Sequence, residues 1–252
     1  MKRLIVSAIL SIQLDSLSSM SVTTAIVLAG GLGTRLRATV PDLPKPMAPI
    51  NGRPFLEYQM DYWINQGINH FVLSVGYLQN VIIDHFGDSY RGITIEYAKE
   101  HQPLGTGGGL LMASERLTTP FLAINGDTFI EVDLVDLYNF HVFKNSNWTF
   151  SLFRTIQSDR YMSMDVSTSG EILSLESNKD RPNGLANGGV YLINPGILQS
   201  LGYKIGSKAS LECELLPSYV SQYGNPYGKE FEGSFIDIGL PEDYHRSSEI
   251  IK

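Results

Sequence analysis

Between Ala25 and Ile50 the chain reads AIVLAGGLGTRLRATVPDLPKPMAPI, and its residue types are those that receive an anion. Four cations, Arg35, Arg37, Lys45 and Arg53, stand against a single acid, Asp42, between Ser21 and Phe55, although the whole chain has a formal net charge of -7. Gly30, Gly31 and Gly33 follow directly on an apolar run. Glycines there let backbone N–H groups approach a polyphosphate with no Cβ in the way. Neither common phosphate loop is present. GGLGTRLR has no lysine where G-x-x-x-x-G-K-[ST] needs one. From Gly31 the third glycine of G-x-G-x-x-G is replaced by Leu36, and Pro41, Pro44, Pro46 and Pro49 oppose an uninterrupted helix. A tight turn with solvated arginines is the bland alternative, and it makes the clustering of charge beside an apolar strand a coincidence.

The elements around this loop alternate. TTAIVLAG (23–30) is β-branched, apolar and closed by glycine, the pattern of a buried parallel strand. PFLEYQMDYWINQG (54–67) has helical spacing, with Pro54 suited to the first turn and Gly67 to the C-terminal cap. Strand, helix and strand follow in HFVLSVG (70–76), NVIIDHFG (80–87) and GITIEYA (92–98), then a glycine-initiated helix at 106–117 and the strand PFLAING (120–126). Such alternation predicts βαβ units and a parallel sheet flanked by helices. After Asp127 the pattern changes to a helix at 132–145 and strands at 148–155, 163–177 and 188–194, with Ser169-Gly170 as a hairpin turn. Two terminal helices, 211–220 and 241–251, flank the strand-like GSFIDIG (233–239). The expected class is α/β, with a nucleotide-binding half over 22–127 and a mixed-β substrate-binding half over 128–252.

Composition narrows the class. At 252 residues, 43% hydrophobic and 18% charged, the chain can bury a sizeable core as a soluble globular protein. Its acidic balance argues against nucleic acid or an anionic membrane as the main partner. Cys213 is the only cysteine, which excludes an intrachain disulfide and a Cys-rich metal site and suits a reducing, cytoplasmic setting. The five histidines show no H-x-x-x-H spacing and read as surface or packing residues. MKRLIVSAILSIQL starts basic and apolar, but Ser7, Ser11 and Asp15 interrupt it and no A-x-A site follows. Residues 1–21 are therefore read as an upstream-start extension with Met20 as the natural beginning; an extra packed helix and an export signal are the alternatives.

LAGGLGTRL followed by PKPM resembles the signature of the nucleotide-sugar pyrophosphorylases, the sugar-phosphate nucleotidyltransferases, whose consensus is close to G-G-x-G-T-R-L and then x-P-K-P. The resemblance continues, in the family's order, through EHQPLGTGGGL, NGDTF, NGGVY and FIDIGLPEDY, from Val22 to the C-terminus. Within the family the chain looks most like a guanylyl-transferring, heptose-using branch. The resemblance implies a Rossmann-like, GT-A-like nucleotidyltransferase fold, a mostly parallel sheet flanked by helices. It implies an NTP, here GTP, and a sugar 1-phosphate as substrates, Mg²⁺ as cofactor, and a homo-oligomer by family habit.

It also assigns residues. Leu28, Ala29, Gly30, Gly31, Gly33 and Thr34 would hold the nucleotide, Arg35 would neutralise the leaving pyrophosphate, and Lys45 would bridge the two reacting phosphates. Asp127 and Asp237, each at the end of an apolar strand, would complete an octahedral Mg²⁺ site with phosphate oxygens and water. Gly105 and Thr106 in PLGTGGGL would meet the base, with Gly107 to Gly109 allowing close packing. Glu100, just upstream, is placed to accept from guanine N1–H and its amino group, or else is a solvated loop residue. Asn187 and Gly188 would face sugar hydroxyls. The family's Glu-Lys pair is broken: SLESNKDRP offers Lys179 after a one-residue shift, or Asn178 in its place.

Overall fold

The computed structural model describes residues 22–33, 35–36, 39–155, 161, 163–174 and 183–251. Strand β1 (Thr24–Ala29) leads to a 3₁₀ turn at Lys45–Met47 and to a small hairpin, β2 (Pro49–Ile50) and β3 (Arg53–Pro54), before helix α1 (Phe55–Ile64). Then come β4 (His70–Val75), α2 (Gln79–Phe86), β5 (Ser89–Tyr90), β6 (Ile93–Lys99), α3 (Gly105–Ser114), β7 (Phe121–Asn125), β8 (Thr128–Ile130) and α4 (Leu134–Phe143). The second half adds β9 (Trp148–Thr155), β10 (Ser163–Val166), β11 (Ile172–Ser174), β12 (Gly184–Ile193), α5 (Leu216–Tyr223), β13 (Tyr227–Glu230), β14 (Phe235–Asp237) and α6 (Pro241–Ile250).

Strands of both halves share one sheet in the order β11-β10-β12-β7-β1-β4-β6-β5, with β9 paired to β12 and β13. Strands β7, β1, β4 and β6 run parallel. From β7 outward the sheet turns antiparallel, since β12 pairs β7 in the opposite sense. The chain lays β4 and β6 on one side of β1, then returns to place β7 on the other. That reversal opens a crevice at the carboxyl ends of β1 and β7, where open α/β sheets bind ligands.

Period-2 alternation explains the two core layers. Ala25, Val27 and Ala29 of β1 meet Leu56, Met60 and Trp63 of α1 on one face. Ile26 turns to the other face, among Leu110 and Leu111 of α3 and Leu216 and Tyr219 of α5. Each fully buried Leu, Phe or Ile contributes about 1.5–3 kcal/mol relative to its exposed form. A third cluster lies under the proline-rich loop: Leu36, Ala48, Ile50 and Phe55 pack with Ile236, Ile238 and Ile251. It fastens the Lys45 turn to β14.

The expected elements are present among the described residues, with additions. β8 and β13 had no sequence expectation: β8 is three residues long, and the Gly228 and Lys229 of β13 carry no strand preference. The helix expected at 211–220 opens as a π turn at Leu211–Leu215 before α5. His141 is a packing residue, bonded to Thr149 Oγ1 (2.8 Å) and Asn194 Oδ1 (3.1 Å), and its burial lowers the imidazole pKa. On the same helix Val142 and Phe143 stay 57% and 80% exposed, because they fall on the outer side of α4.

Glycines in helix α3 cost about 1 kcal/mol each against alanine. They are offset by the close approach of residues 207–211: Gly107 and Gly108 N–H both donate to Ala209 O (3.0 Å), and Ala209 N–H donates to Leu104 O (2.8 Å). A Cβ at Gly108 would overlap the Ser207 carbonyl oxygen. Gly108→Ala should therefore lower the melting temperature by several degrees, from an overpacking cost of about 1–3 kcal/mol. An unchanged melting temperature by calorimetry would show that the two segments separate freely.

Candidate active site

Residues from the ends of four strands line a cleft of about 510 Å³. Leu28 and Ala29 end β1 and Gly30 to Gly33 follow; Asn125 ends β7, followed by Gly126 and Asp127; Ser74 comes from β4 and Glu100 follows β6. Arg35, Lys45, Pro46, Gly105, Thr106 and Lys208 complete much of the remaining wall. This volume suits a small-molecule site.

A charge cluster built from three distant segments stands at the cleft: Lys45 and Asp127 line it, and Asp237 lies beside them outside the lining. Pro44 and Pro46 bracket Lys45 in its 3₁₀ turn, which restricts the backbone there. Lys45 Nζ donates to Asp127 Oδ2 at 2.9 Å. Asp127 lies in the turn from β7 to β8, and its backbone carbonyl accepts from Ile238 N–H at 2.9 Å. β14 pairs antiparallel with β8, putting Asp237 opposite Thr128 and so beside Asp127. Asp237 Oδ1 accepts from Gly239 N–H at 2.7 Å. A Cβ at Gly239 would come within 3 Å of both Asp237 Oδ1 and Lys45 Nζ, so glycine keeps open the point where they converge. Burial pushes the Asp237 carboxyl above its ordinary pKa, and the charge of Asp127 adds to the rise; Gly239 N–H, Lys45 and Arg35 oppose it. One ammonium thus leaves the two carboxylates under-neutralised. Among the described residues no group of three or more His, Cys, Asp or Glu side chains converges to hold a metal. Asp127 on the cleft wall and Asp237 beside it fit a divalent cation whose other ligands are phosphate and water oxygens.

The glycine loop has more than one task. Gly33 sits at φ +62°, a conformation glycine adopts without strain, and its Cβ position is 2.9 Å from Lys45 Cγ. A side chain at Gly30 would overlap the Glu100 carboxylate. Gly31 has open space around it and faces solvent in the cleft. Arg35 is exposed there as well. Arg53 departs from the expected anion-facing set: it is absent from the cleft lining and bonds instead to Glu57 (2.5 Å), Asp61 and Tyr90 OH (2.8 Å). Acids one and two turns along α1 capture it.

Glu100 is not a solvated loop residue. It is only 8% exposed, accepting from Ser74 Oγ at 3.2 Å and from Leu104 N–H at 2.9 Å. Gly105 and Thr106 are exposed in the cleft. Thr106 Oγ1 accepts from Leu211 N–H (3.0 Å) and donates to Glu212 (3.4 Å). Asn187 and Gly188 lie on a bulged part of β12, outside the cleft lining. Asn187 donates to Tyr191 OH (2.7 Å) and accepts from Gly189 N–H (3.0 Å), while Gly188 is buried beside Ile130 and Ser151. Thr34, Arg37, Asn178 and Lys179 lie outside the described residues. Sequence reasoning missed Ser74, Asn125 and Lys208. An isolated lysine in SKASLE carries no local signal, and only the packing of 207–211 onto α3 brings it to the cleft.

A glycine loop, a lysine between prolines and Asp127 meet at the switch point of an α/β sheet with Asp237 alongside, an arrangement suited to a phosphate-bearing ligand. Residues 24–252 match the nucleotidyl transferase family model, and the chain belongs to that family. It is 38% identical over 221 residues to D-glycero-alpha-D-manno-heptose 1-phosphate guanylyltransferase of Campylobacter jejuni, covering 88% of this chain and 96% of that one. The protein of the same name from Aneurinibacillus thermoaerophilus is 38% identical over 224 residues, with the same coverage of 88% and 96%. The crystal structure of HddC from Yersinia pseudotuberculosis complexed with GMP-PN shares the fold at a TM-score of 0.79 and 32% identity, over 91% of this chain and 100% of that one. Among the described residues no helix is long and apolar enough to cross a membrane.

The raised Asp237 pKa has a consequence for stability. The folded protein binds that proton more tightly than the unfolded chain does, so the carboxyl adds stability at low pH. That gain is lost as pH rises through the raised value. In metal-free buffer at neutral pH, Asp237→Asn should therefore melt above the wild type, and the gap should close as pH falls below the usual carboxylate range. A variant that melts below the wild type at neutral pH would contradict this electrostatic reading.

Proposed function

We propose that the chain joins GTP to a sugar 1-phosphate, D-glycero-α-D-manno-heptose 1-phosphate, and releases pyrophosphate. The observation that carries the reading is the meeting of Lys45 and Asp127 in a cleft headed by the glycine loop, with Asp237 brought alongside by the pairing of β8 and β14. The relatives' names supply the base and the sugar.

In this reaction a phosphate oxygen of the sugar 1-phosphate bonds to the α-phosphorus of GTP. The bond from that phosphorus to the α–β bridging oxygen breaks, and pyrophosphate leaves with the electron pair. The attacking phosphate is already ionised, so the site needs fixed positive charge rather than a general base. Mg²⁺ held by Asp127 and Asp237 supplies charge neutralisation at the α-phosphate when bound. Lys45 reaches the same point and draws the two phosphates together. Arg35, exposed at the cleft mouth, is free to meet the departing pyrophosphate, and the N–H groups of the Gly30–Gly33 turn bind the triphosphate.

Glu100 has lone-pair sites left after its two hydrogen bonds, enough to accept from guanine N1–H and the 2-amino group. The exposed backbone at Gly105 and Thr106 borders the same base. Lys208 brings a third cation to the lining, and with Lys179 it is a candidate partner for the sugar phosphate. Asn187 and Gly188 are assigned to the sugar hydroxyls through the NGGVY motif. A homo-oligomer is expected from family habit.

Pyrophosphate release should be measured with four NTPs against a panel of heptose and hexose 1-phosphates. GTP with the heptose phosphate should give the highest kcat/KM; a clear preference for UTP or dTTP would remove the guanylyl assignment and leave the reaction class standing. Arg35→Ala should lower kcat by about two to three orders of magnitude with the fold intact. Lys45→Arg should not restore the activity lost in Lys45→Met, because a planar fork replaces a compact charge. Near-normal turnover in either Lys45 variant would disprove its assignment.

A further inference from the structure

One face of α1 buries Phe55, Leu56, Met60 and Trp63, and in the middle of that apolar stripe stands Gln59, 1% exposed. Its side-chain Nε2 donates to Asn125 O at 2.9 Å and to Thr128 O at 2.6 Å. These two carbonyls flank Gly126 and Asp127. A side-chain amide has two N–H donors, and both are used here. Both partners are pure acceptors, which fixes the amide orientation: the flipped form would aim Oε1 at two carbonyl oxygens. Oε1 itself is buried and accepts no hydrogen bond from the described residues. The desolvation cost of this amide is therefore offset only by its grip on the turn.

Elsewhere the same turn is held by two main-chain bonds, Gly126 N–H to Leu28 O (3.1 Å) and Ile238 N–H to Asp127 O (2.9 Å), while Lys45 Nζ grips the Asp127 carboxylate (2.9 Å). Gln59 spans the turn from carbonyl to carbonyl, bracketing Gly126 and Asp127.

We infer that Gln59 is a positioning residue for the Asp127 carboxylate, acting from beneath the turn and touching neither substrate. The inference depends on the proposed metal role of Asp127 and Asp237. Partners that orient a metal ligand from outside its coordination sphere are typically worth about 10–100-fold in affinity or activity. A methionine at this position would fill the volume and keep the stripe apolar, yet the chain keeps a buried amide with an idle acceptor.

The test titrates Mn²⁺ into the full chain with excess α,β-methylene GTP, followed by water-proton relaxation and corrected for the metal–nucleotide complex. Gln59→Met should weaken Mn²⁺ binding by about 10–100-fold and lower kcat by a similar factor, with KM for GTP within about threefold of the wild type. Gln59→Glu has the same shape but at most one donor, and should fail in the same way. Met60→Ala, a core truncation on the same helix, should lose melting temperature while keeping Mn²⁺ affinity. Unchanged Mn²⁺ affinity and kcat in Gln59→Met, where Asp127→Asn abolishes Mn²⁺ binding, would overturn the role of Gln59 alone. Full Mn²⁺ affinity in Asp127→Asn, or no binding by the wild type, would overturn the metal reading and this inference with it.

Discussion

Two carboxylates and one ammonium meet at a single point, held there by segments from both halves of the chain. Lys45, Asp127 and Asp237 come from three segments far apart in sequence, yet Lys45 Nζ lies 2.9 Å from Asp127 and within reach of Asp237. Like charges this close repel, and the raised Asp237 pKa records that repulsion together with burial. The arrangement persists because each side chain is anchored by apolar packing that does not itself titrate. Leu36, Ala48 and Ile50 bind the Lys45 turn to Ile236 and Ile238, which flank Asp237, while β8 and β14 pair the two aspartate-bearing segments.

This layout separates the parts that bind from the parts that carry load. The four parallel strands and their two apolar layers supply stability and a crevice at the β1/β7 reversal. Burial and the neighbouring Asp127 raise the Asp237 pKa, so ionising this carboxyl works against folding, and the apolar layers around it offset that cost. Glu100 is likewise a buried carboxylate, held by Ser74 and Leu104 against a glycine that makes room for it.

Much of this was legible in the chain itself. The alternation of apolar runs with helical periods up to residue 126 exposes a parallel sheet, because strands buried on both faces read as unbroken apolar segments. GGLGTRL, NGD and FIDIG mark the loop and both aspartates because each follows or ends an apolar strand, and PKPM marks the lysine because two prolines bracket it. What stayed hidden depends on tertiary contact. Arg53 reads as one more phosphate-facing cation until α1 brings Glu57 and Asp61 beside it. Lys208 and Gln59 carry no motif, and each acquires meaning only from what it packs against. Glu100 gives no hint in sequence that its carboxylate closes the loop that carries it.

In the proposed reaction Asp127 and Asp237 act as one unit on one cation, and a double-mutant cycle on kcat/KM for pyrophosphate release checks it. Asp127→Asn, Asp237→Asn and the double variant are compared with the wild type at saturating Mg²⁺. If the carboxylates serve a single ion, either change alone should remove nearly all activity, and the double variant should be hardly worse than the poorer single one. Losses that multiply across the cycle would place the two aspartates in separate sites and contradict the account.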